Sequence, residues 1–234
     1  MKNKIISITI YIISIVLICL YLYIDFFNVI KNPIIKLILL LIICILTYFG
    51  GLFLIKYNKK YKYTINKINI LIWFILYVIF LLRITLFDSF FNRRNILFIG
   101  NNKIIFRDYM NYVINLIPFR VIVSFIIDFI NKAVSFDKFI YNLLGNFIAF
   151  TPFAFFLPKL FKKVNNTKIF IITMFIIVSI IELTQFITLT GTFDIDDYIL
   201  NISGAYLMFK LLNKDKIKNH LNIYINYDNI NNAC

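Results

Sequence analysis

Twenty consecutive residues, Ile5–Ile24, carry no charge, and apolar runs of similar length recur at Ile34–Ile55, Ile68–Phe87, Phe139–Pro158 and Lys168–Leu189. A sixth, shorter run covers Tyr198–Leu212. A bilayer core about 30 Å thick is crossed by roughly 20 apolar residues in helical form. Soluble domains bury such stretches only one or two at a time, and composition closes that route. The 234 residues are 61% hydrophobic and 15% charged, against about 45–50% and about 25% in soluble domains. The runs are rich in Ile, a middling helix former in water. In lipid, where every backbone N–H and C=O must be satisfied within the segment, the helix is enforced regardless. The sequence therefore predicts an all-α, polytopic integral membrane bundle of about six transmembrane helices. Met1-Lys2-Asn3-Lys4 ahead of the first run resembles a signal peptide, but the run ends in Tyr23-Ile24-Asp25-Phe26 without a small-x-small cleavage site, so it reads as an uncleaved span.

The formal charge of +14 raises nucleic acid as a partner, and the placement of the charges argues against it. Alternate segments between the runs hold 15 Lys and Arg on one side and 9 on the other, with Arg83 inside the third run. The richer side is cytoplasmic by the positive-inside rule, which places both termini there. Of the acids, Asp215 and Asp228 fall on that side, while Asp25, Asp88, Asp108, Asp128, Asp137, Asp194, Asp196 and Asp197 fall on the other. The basic balance thus points to anionic lipids at the cytoplasmic face as partners, and not to nucleic acid.

Residues 109–130 are apolar enough for a further crossing, but Asn115, Pro118, Arg120 and Asp128 leave pieces too short to span. They read as an outer interfacial or re-entrant segment. Three parts follow: two N-terminal spans and a cytoplasmic loop over 1–67, a membrane core over 68–212, and a polar tail over 213–234. The one histidine, His220, lies in that tail, which removes His-ligated metal chemistry and a Ser/His dyad from the membrane. Three cysteines, Cys19, Cys44 and Cys234, make no disulfide framework.

Against this background, Glu182 stands out as the only glutamate, in the middle of Ile176–Phe186. A carboxylate at mid-span costs on the order of 3 kcal/mol on insertion scales, so it needs a partner, a proton or a wet cavity. It lies about 12 Å below the outer end of its span at 1.5 Å per residue. Gln185 is one turn above it on the same face. Asn142 and Asn146 are spaced i, i+4 in the outer half of the fourth run, and Arg83 is about one turn from the outer end of the third. In the sixth, Asp197, Asn201 and Gly204 share a face, with Gly204 and Ala205 allowing close helix approach. Polar groups from these separate runs thus gather at one depth, as a polar site requires; a zipper of amides holding helices together is the plainer alternative. Asp194-Ile195-Asp196-Asp197 offers oxygens to Mg2+ or Ca2+, without the Gly and distal Glu of an EF-hand loop. One of Asp194 and Asp197 is equally placed to cap the sixth helix. Pro152 should kink the fourth span.

These blocks also resemble a known family. Asn142-Leu143-Leu144-Gly145-Asn146 through Phe150-Thr151-Pro152 is similar to the N-x-x-x-N-x-x-x-F-x-P block of VanZ-like proteins. Glu182 and Gln185 match E-x-x-Q, Phe193-Asp194-Ile195-Asp196-Asp197 matches F-D-x-D-D, and Asn201 to Gly204 matches N-x-x-G. Arg83-Ile84-Thr85-Leu86-Phe87 and Asn115-Leu116-Ile117-Pro118-Phe119-Arg120 resemble R-x-T-L-F and N-x-x-P-F-R. The resemblance runs from Arg83 to Phe209; Ala154 replaces a frequent Gly, and the first two spans have no counterpart. The family takes its name from a membrane protein that raises resistance to the glycopeptide teicoplanin, which implies a bacterial envelope protein.

Residues and resemblance together suggest an outer-leaflet pocket for a lipid headgroup or cell-wall precursor, altering susceptibility to teicoplanin. Its residues would be Arg83, Asn142, Asn146, Glu182, Gln185, Asp194, Asp196, Asp197 and Asn201, with Arg83 paired to Glu182 or to a phosphate. No cofactor is implied. The alternatives are a membrane enzyme on a lipid-linked substrate, using Glu182 or an Asp with a metal at Asp194–Asp197, and a proton- or ion-coupled solute transporter. No nucleophile-plus-base set is visible, which weighs against an enzyme.

Overall fold

A computed structural model describes residues 2–87, 114–188, 190–191, 193–214 and 217. The expectations for Asp88, Asp108, residues 109–113, and the tail with Asp215, His220, Asp228 and Cys234 lie outside the described residues. The chain is built from helices with almost no strand, and it divides into two compact units, residues up to Ile84 and residues Thr85–Asn213.

The N-terminal unit holds α1 (Lys2–Phe26), α2 (Pro33–Tyr57) and α3 (Lys62–Leu82). Asn32 caps α2, its side chain accepting from the Ile34 N–H at 2.9 Å, with Pro33 in the first position where no N–H is needed. Early α1 meets late α2, and late α1 meets early α2, so neighbouring helices run antiparallel. Ser7 donates to the Gly50 carbonyl (2.8 Å), and Tyr11 donates to Asn69 Oδ1 (3.1 Å). Asn69 donates to the Thr47 carbonyl (3.1 Å), and Trp73 to the Thr47 hydroxyl (2.7 Å). These amides and hydroxyls link the helices where burial of apolar surface gives little drive for association. Tyr21, Leu40, Ile43, Leu76 and Phe80 form the core, while Ile5, Ile12, Ile38, Ile45 and Ile75 are exposed on the outside. A water-soluble protein has no use for that surface, and lipid does.

In the C-terminal unit α4 (Arg120–Ile130) and α5 (Phe136–Ala149) are followed by α6 (Phe153–Leu160), α7 (Thr167–Ile187) and α8 (Ile195–Leu212). A two-residue parallel bridge joins β1 (Ile114–Asn115) to β2 (Phe193–Asp194). The fourth apolar run bends as expected at Pro152, which has no N–H to continue the ladder: α5 stops at Ala149, Phe150-Thr151 turn, and α6 restarts at Phe153. Phe170 of α7 stacks on Phe209 of α8 at 4.2 Å between ring centroids. Where α5 crosses α8 the backbones touch: a Cβ on Gly204 would lie 1.8 Å from the Phe147 carbonyl oxygen.

Five helical stretches are long and apolar enough to cross a membrane: Lys2–Phe26, Pro33–Tyr57, Lys59–Leu86, Phe136–Leu160 and Thr167–Ile187. The sixth expected span, α8, differs. It has 18 residues, but Asp196 and Asp197 occupy its first turn and Lys210 its last, so its apolar part is shorter than the bilayer. Within the segment expected to be interfacial or re-entrant, α4 has only 11 residues, about 16 Å of helix, which is too short to cross.

The two helical glycines of the C-terminal unit should respond in opposite directions. Gly204→Ala forces α5 and α8 apart and should lower stability by about 1–3 kcal/mol or more. Gly145 has open space where its Cβ would point, and Gly145→Ala should be neutral or stabilising by up to about 1 kcal/mol. Thermal denaturation of the purified protein in detergent reads both.

Candidate functional site

The acidic block opens α8, and each of its three carboxylates fastens a different element. Asp194, in extended backbone (φ −127°, ψ 124°), caps α8 by accepting from the Asp196 N–H at 2.9 Å. The same oxygen accepts from Asn115 Nδ2 at 2.8 Å, which fixes β1 beside β2. Asp196, 1% exposed, reaches α4. That helix begins after Phe119, whose side chain has no oxygen with which to cap it. The Asp196 carboxylate serves instead, accepting from the N–H groups of Phe119, Val121 (2.7 Å) and Ile122 (3.1 Å). The anion sits at the positive end of α4 and in the first turn of α8, so two helix dipoles favour its charge. The arrangement also explains Phe119, a bulky residue in the left-handed region (φ 64°): this backbone turns its N–H toward Asp196, and the hydrogen bonds offset the steric cost. Asp197 accepts from Asn146 Nδ2 and so ties α8 to α5.

Glu182 and Gln185, one turn apart on α7, are 3% and 2% exposed, and Asn201 of α8 is 3% exposed. Gln185 Nε2 donates to the Thr85 carbonyl at 2.8 Å. Gln185 Oε1 and Asn201 Oδ1 are buried acceptors with no hydrogen-bond partner among the described residues. Asn142 is placed differently: it is exposed, and its Nδ2 donates to the Lys138 carbonyl of its own helix at 2.8 Å. The structure thus brings Asn146, Asp194, Asp196 and Asp197 into one hydrogen-bonded assembly and does not join Asn142 to it.

Arg83 belongs to the N-terminal unit, at the start of a π-helical turn, Arg83–Phe87. Its Nη2 donates to the carbonyls of Asp25 (2.7 Å) and Phe26 (3.4 Å), where the C-terminal carbonyls of α1 favour a cation. Its Nε is 3.7 Å from Asp25 Oδ1, which Lys36 Nζ approaches at 3.3 Å. Sequence reasoning missed Asp25, Lys36 and Asn115 as site residues. Asp25 and Lys36 stand at similar distances from the connection between the first two spans, a signal that antiparallel helices would bring them level.

Burial raises the Asp194 pKa above the usual carboxylate value. The hydrogen bonds from Asp196 N–H and Asn115 oppose that shift, and the neighbouring Asp196 charge adds to it. Among the described residues no three His, Cys, Asp or Glu side chains are grouped to hold a metal, and oxygens of Asp194, Asp196 and Asp197 already face N–H donors.

These features define a helical membrane protein whose motif blocks dock on one another through carboxylates. Residues 74–214, 141 of the 234, match the VanZ/LLP1 family, and the chain belongs to that family. No curated protein and no solved structure matches it.

Removing the Asp196 carboxylate leaves the N–H groups of Phe119, Val121 and Ile122 without their acceptor. Asp196→Ala should cost about 2–4 kcal/mol and speed hydrogen exchange at Phe119, Val121 and Ile122. Asp194→Asn keeps the acceptor oxygen and should fold. Because the raised pKa means that the folded state holds the proton more tightly, the Asp194 contribution is full below about pH 4 and is lost as pH rises through the folded value. The variant should therefore gain on wild type across that window in denaturation midpoints measured at successive pH values.

Proposed function

We propose that this protein is a multi-pass envelope protein of the cytoplasmic membrane, with both termini cytoplasmic, whose C-terminal unit receives the donor groups of a polar headgroup. The ligand would be a membrane lipid or a lipid-linked cell-wall precursor carrying hydroxyl or ammonium groups. Its retention would lower what teicoplanin can reach at the surface. The observation carrying this reading is the pair of buried acceptors, Gln185 Oε1 and Asn201 Oδ1, left without hydrogen-bond partners among the described residues, with the Glu182 carboxylate one turn from the first. Unsatisfied buried acceptors cost about 1–3 kcal/mol each, and a ligand donor would recover that energy. Asp197 and Asn146 would border the site, and Asp194 and Asp196 would hold its frame.

An enzymatic role is less well supported, because Asp194, Asp196 and Asp197, the carboxylates that would bind a metal, already accept hydrogen bonds from N–H donors. The exposed lysines Lys56, Lys59, Lys60, Lys62 and Lys67, together with Lys162, Lys163 and Lys168, would rest on anionic lipid at the cytoplasmic face.

Mass spectrometry of lipids co-purified with wild type, Glu182→Gln and Gln185→Leu tests the proposal. Wild type should retain one headgroup class that both variants lose several-fold, in parallel with a loss of teicoplanin tolerance in cells expressing them. Identical bound lipids in all three would overturn it.

A further inference from the structure

No residue of α4 is buried, and its apolar side chains fall on two faces. Phe129 turns to α5 and stacks on Phe139 at 4.6 Å between ring centroids. Val123, Ile126, Ile127 and Ile130 face outward, spaced i, i+3, i+4, i+7 along one stripe, each 40% to 70% exposed. Between the two faces runs a polar line, Arg120, Ser124 and Asp128, at i, i+4, i+8.

The backbone at both ends of α4 shows what kind of surroundings suit this stripe. A helix in water leaves its first N–H and last C=O groups to solvent. Here protein groups take them. Besides the bonds to Asp196, the Arg120 N–H donates to the Ile117 carbonyl (3.4 Å) and the Val123 N–H to the Phe119 carbonyl (2.9 Å). At the other end Lys132, in the left-handed region (φ 56°), turns the chain back. The N–H groups of Asn131, Lys132 and Ala133 then donate to the carbonyls of Ile127 (2.9 Å), Phe129 (3.0 Å) and Asp128 (2.8 Å). Closed ends suit a setting with little water, where each open backbone group is costly. Residues 131–135 join α4 to Phe136, one end of the Phe136–Leu160 stretch that is long and apolar enough to cross a membrane. Leu144 and Ile148 are exposed on that stretch, so the lipid that surrounds it lies beside α4 as well.

Charge fixes the tilt. Arg120 stands at one end of α4 and Asp128 and Lys132 at the other, with Val121–Ile127 uncharged between them. A re-entrant helix would carry one of these ends into the hydrocarbon. A helix along the membrane plane keeps both at the headgroups.

We propose that α4 lies flat in the leaflet at the Phe136 end, with Val123, Ile126, Ile127 and Ile130 among the acyl chains and Arg120, Ser124 and Asp128 at headgroup level. The partner is the lipid monolayer itself. Asp196, which caps α4, thereby fastens the acidic block of α8 to a helix seated in lipid. This placement is independent of any headgroup bound near Gln185 and Asn201.

The test uses Val123→Cys, Ser124→Cys, Ile126→Cys, Ile127→Cys and Ile130→Cys, each made in a full chain whose three native cysteines are replaced by serine. The variants carry nitroxide labels in vesicles of phosphatidylcholine and phosphatidylglycerol. All five positions are exposed, so the labels are accommodated without disturbing the packing. Power-saturation EPR compares collisions with oxygen, which concentrates in hydrocarbon, and with a water-soluble nickel chelate. Oxygen collisions should exceed nickel collisions several-fold at the four stripe positions, and the order should reverse at Ser124. The depth so measured should be level from Val123 to Ile130. Nickel access along the stripe overturns the proposal, since the face would then lie in water. Low access to both reagents also overturns it and identifies a cover of protein, from this chain or a second copy. A depth that changes steadily from Val123 to Ile130 overturns it in favour of a re-entrant helix.

Discussion

The carboxylate of Asp196 holds the C-terminal unit together. A buried anion is costly unless its oxygens are filled with donors, and here the backbone N–H groups of Phe119, Val121 and Ile122 supply them. The arrangement works in both directions. Helix α4 begins without a capping side chain of its own and would leave N–H groups exposed to an apolar medium; Asp196 would be intolerable there without them. Asp194 repeats this logic on a smaller scale, capping its own helix and fixing Asn115 with one oxygen. The consequence for function is that the F-D-x-D-D block is a fastening hub. It sets where α4, α5 and β1 stand.

The N-terminal unit meets the same constraint with neutral groups. Ser7, Tyr11, Thr47, Asn69 and Trp73 interlock three helices through hydroxyls and amides, each satisfied at little desolvation cost. Among the described residues, the buried charges of that unit, Asp25 and Lys36, lie at one end, where they meet Arg83. The contrast is physical: amides hold helices together without the desolvation cost that a buried lysine and aspartate carry.

Five of the six expected spans were legible because apolarity over some 20 residues needs no knowledge of neighbours. The α8 prediction strained because its ends are occupied by hub residues and Lys210. Pro152 was legible too, since a missing N–H acts locally. The asparagines were not: Asn142 and Asn146 have the spacing of a shared face, yet Asn146 reaches Asp197 while Asn142 bonds back to its own helix. Spacing gives a direction, and only the position of α8 gives a partner. The acidic block misled for the same reason. Three aspartates in four residues look like a cation site until the N-terminus of α4 is brought to Asp196 from 75 residues away. Arg83 donates to the backbone carbonyl of Asp25, 58 positions upstream, a partner that no local spacing in the sequence indicates.

That last pairing bears on why the chain has two helices that the family match does not include. The match begins at residue 74, within α3, and takes in Arg83 while leaving Asp25 and Lys36 out. A guanidinium at the end of a span must find acceptors in an environment poor in them. Here α1 provides both its C-terminal carbonyls and the Asp25 carboxylate. Helix α2 then contributes Lys36, a second cation on that carboxylate. Lys36 is almost fully buried, and in that low-dielectric setting its attraction to the Asp25 carboxylate is far stronger than at a solvated surface.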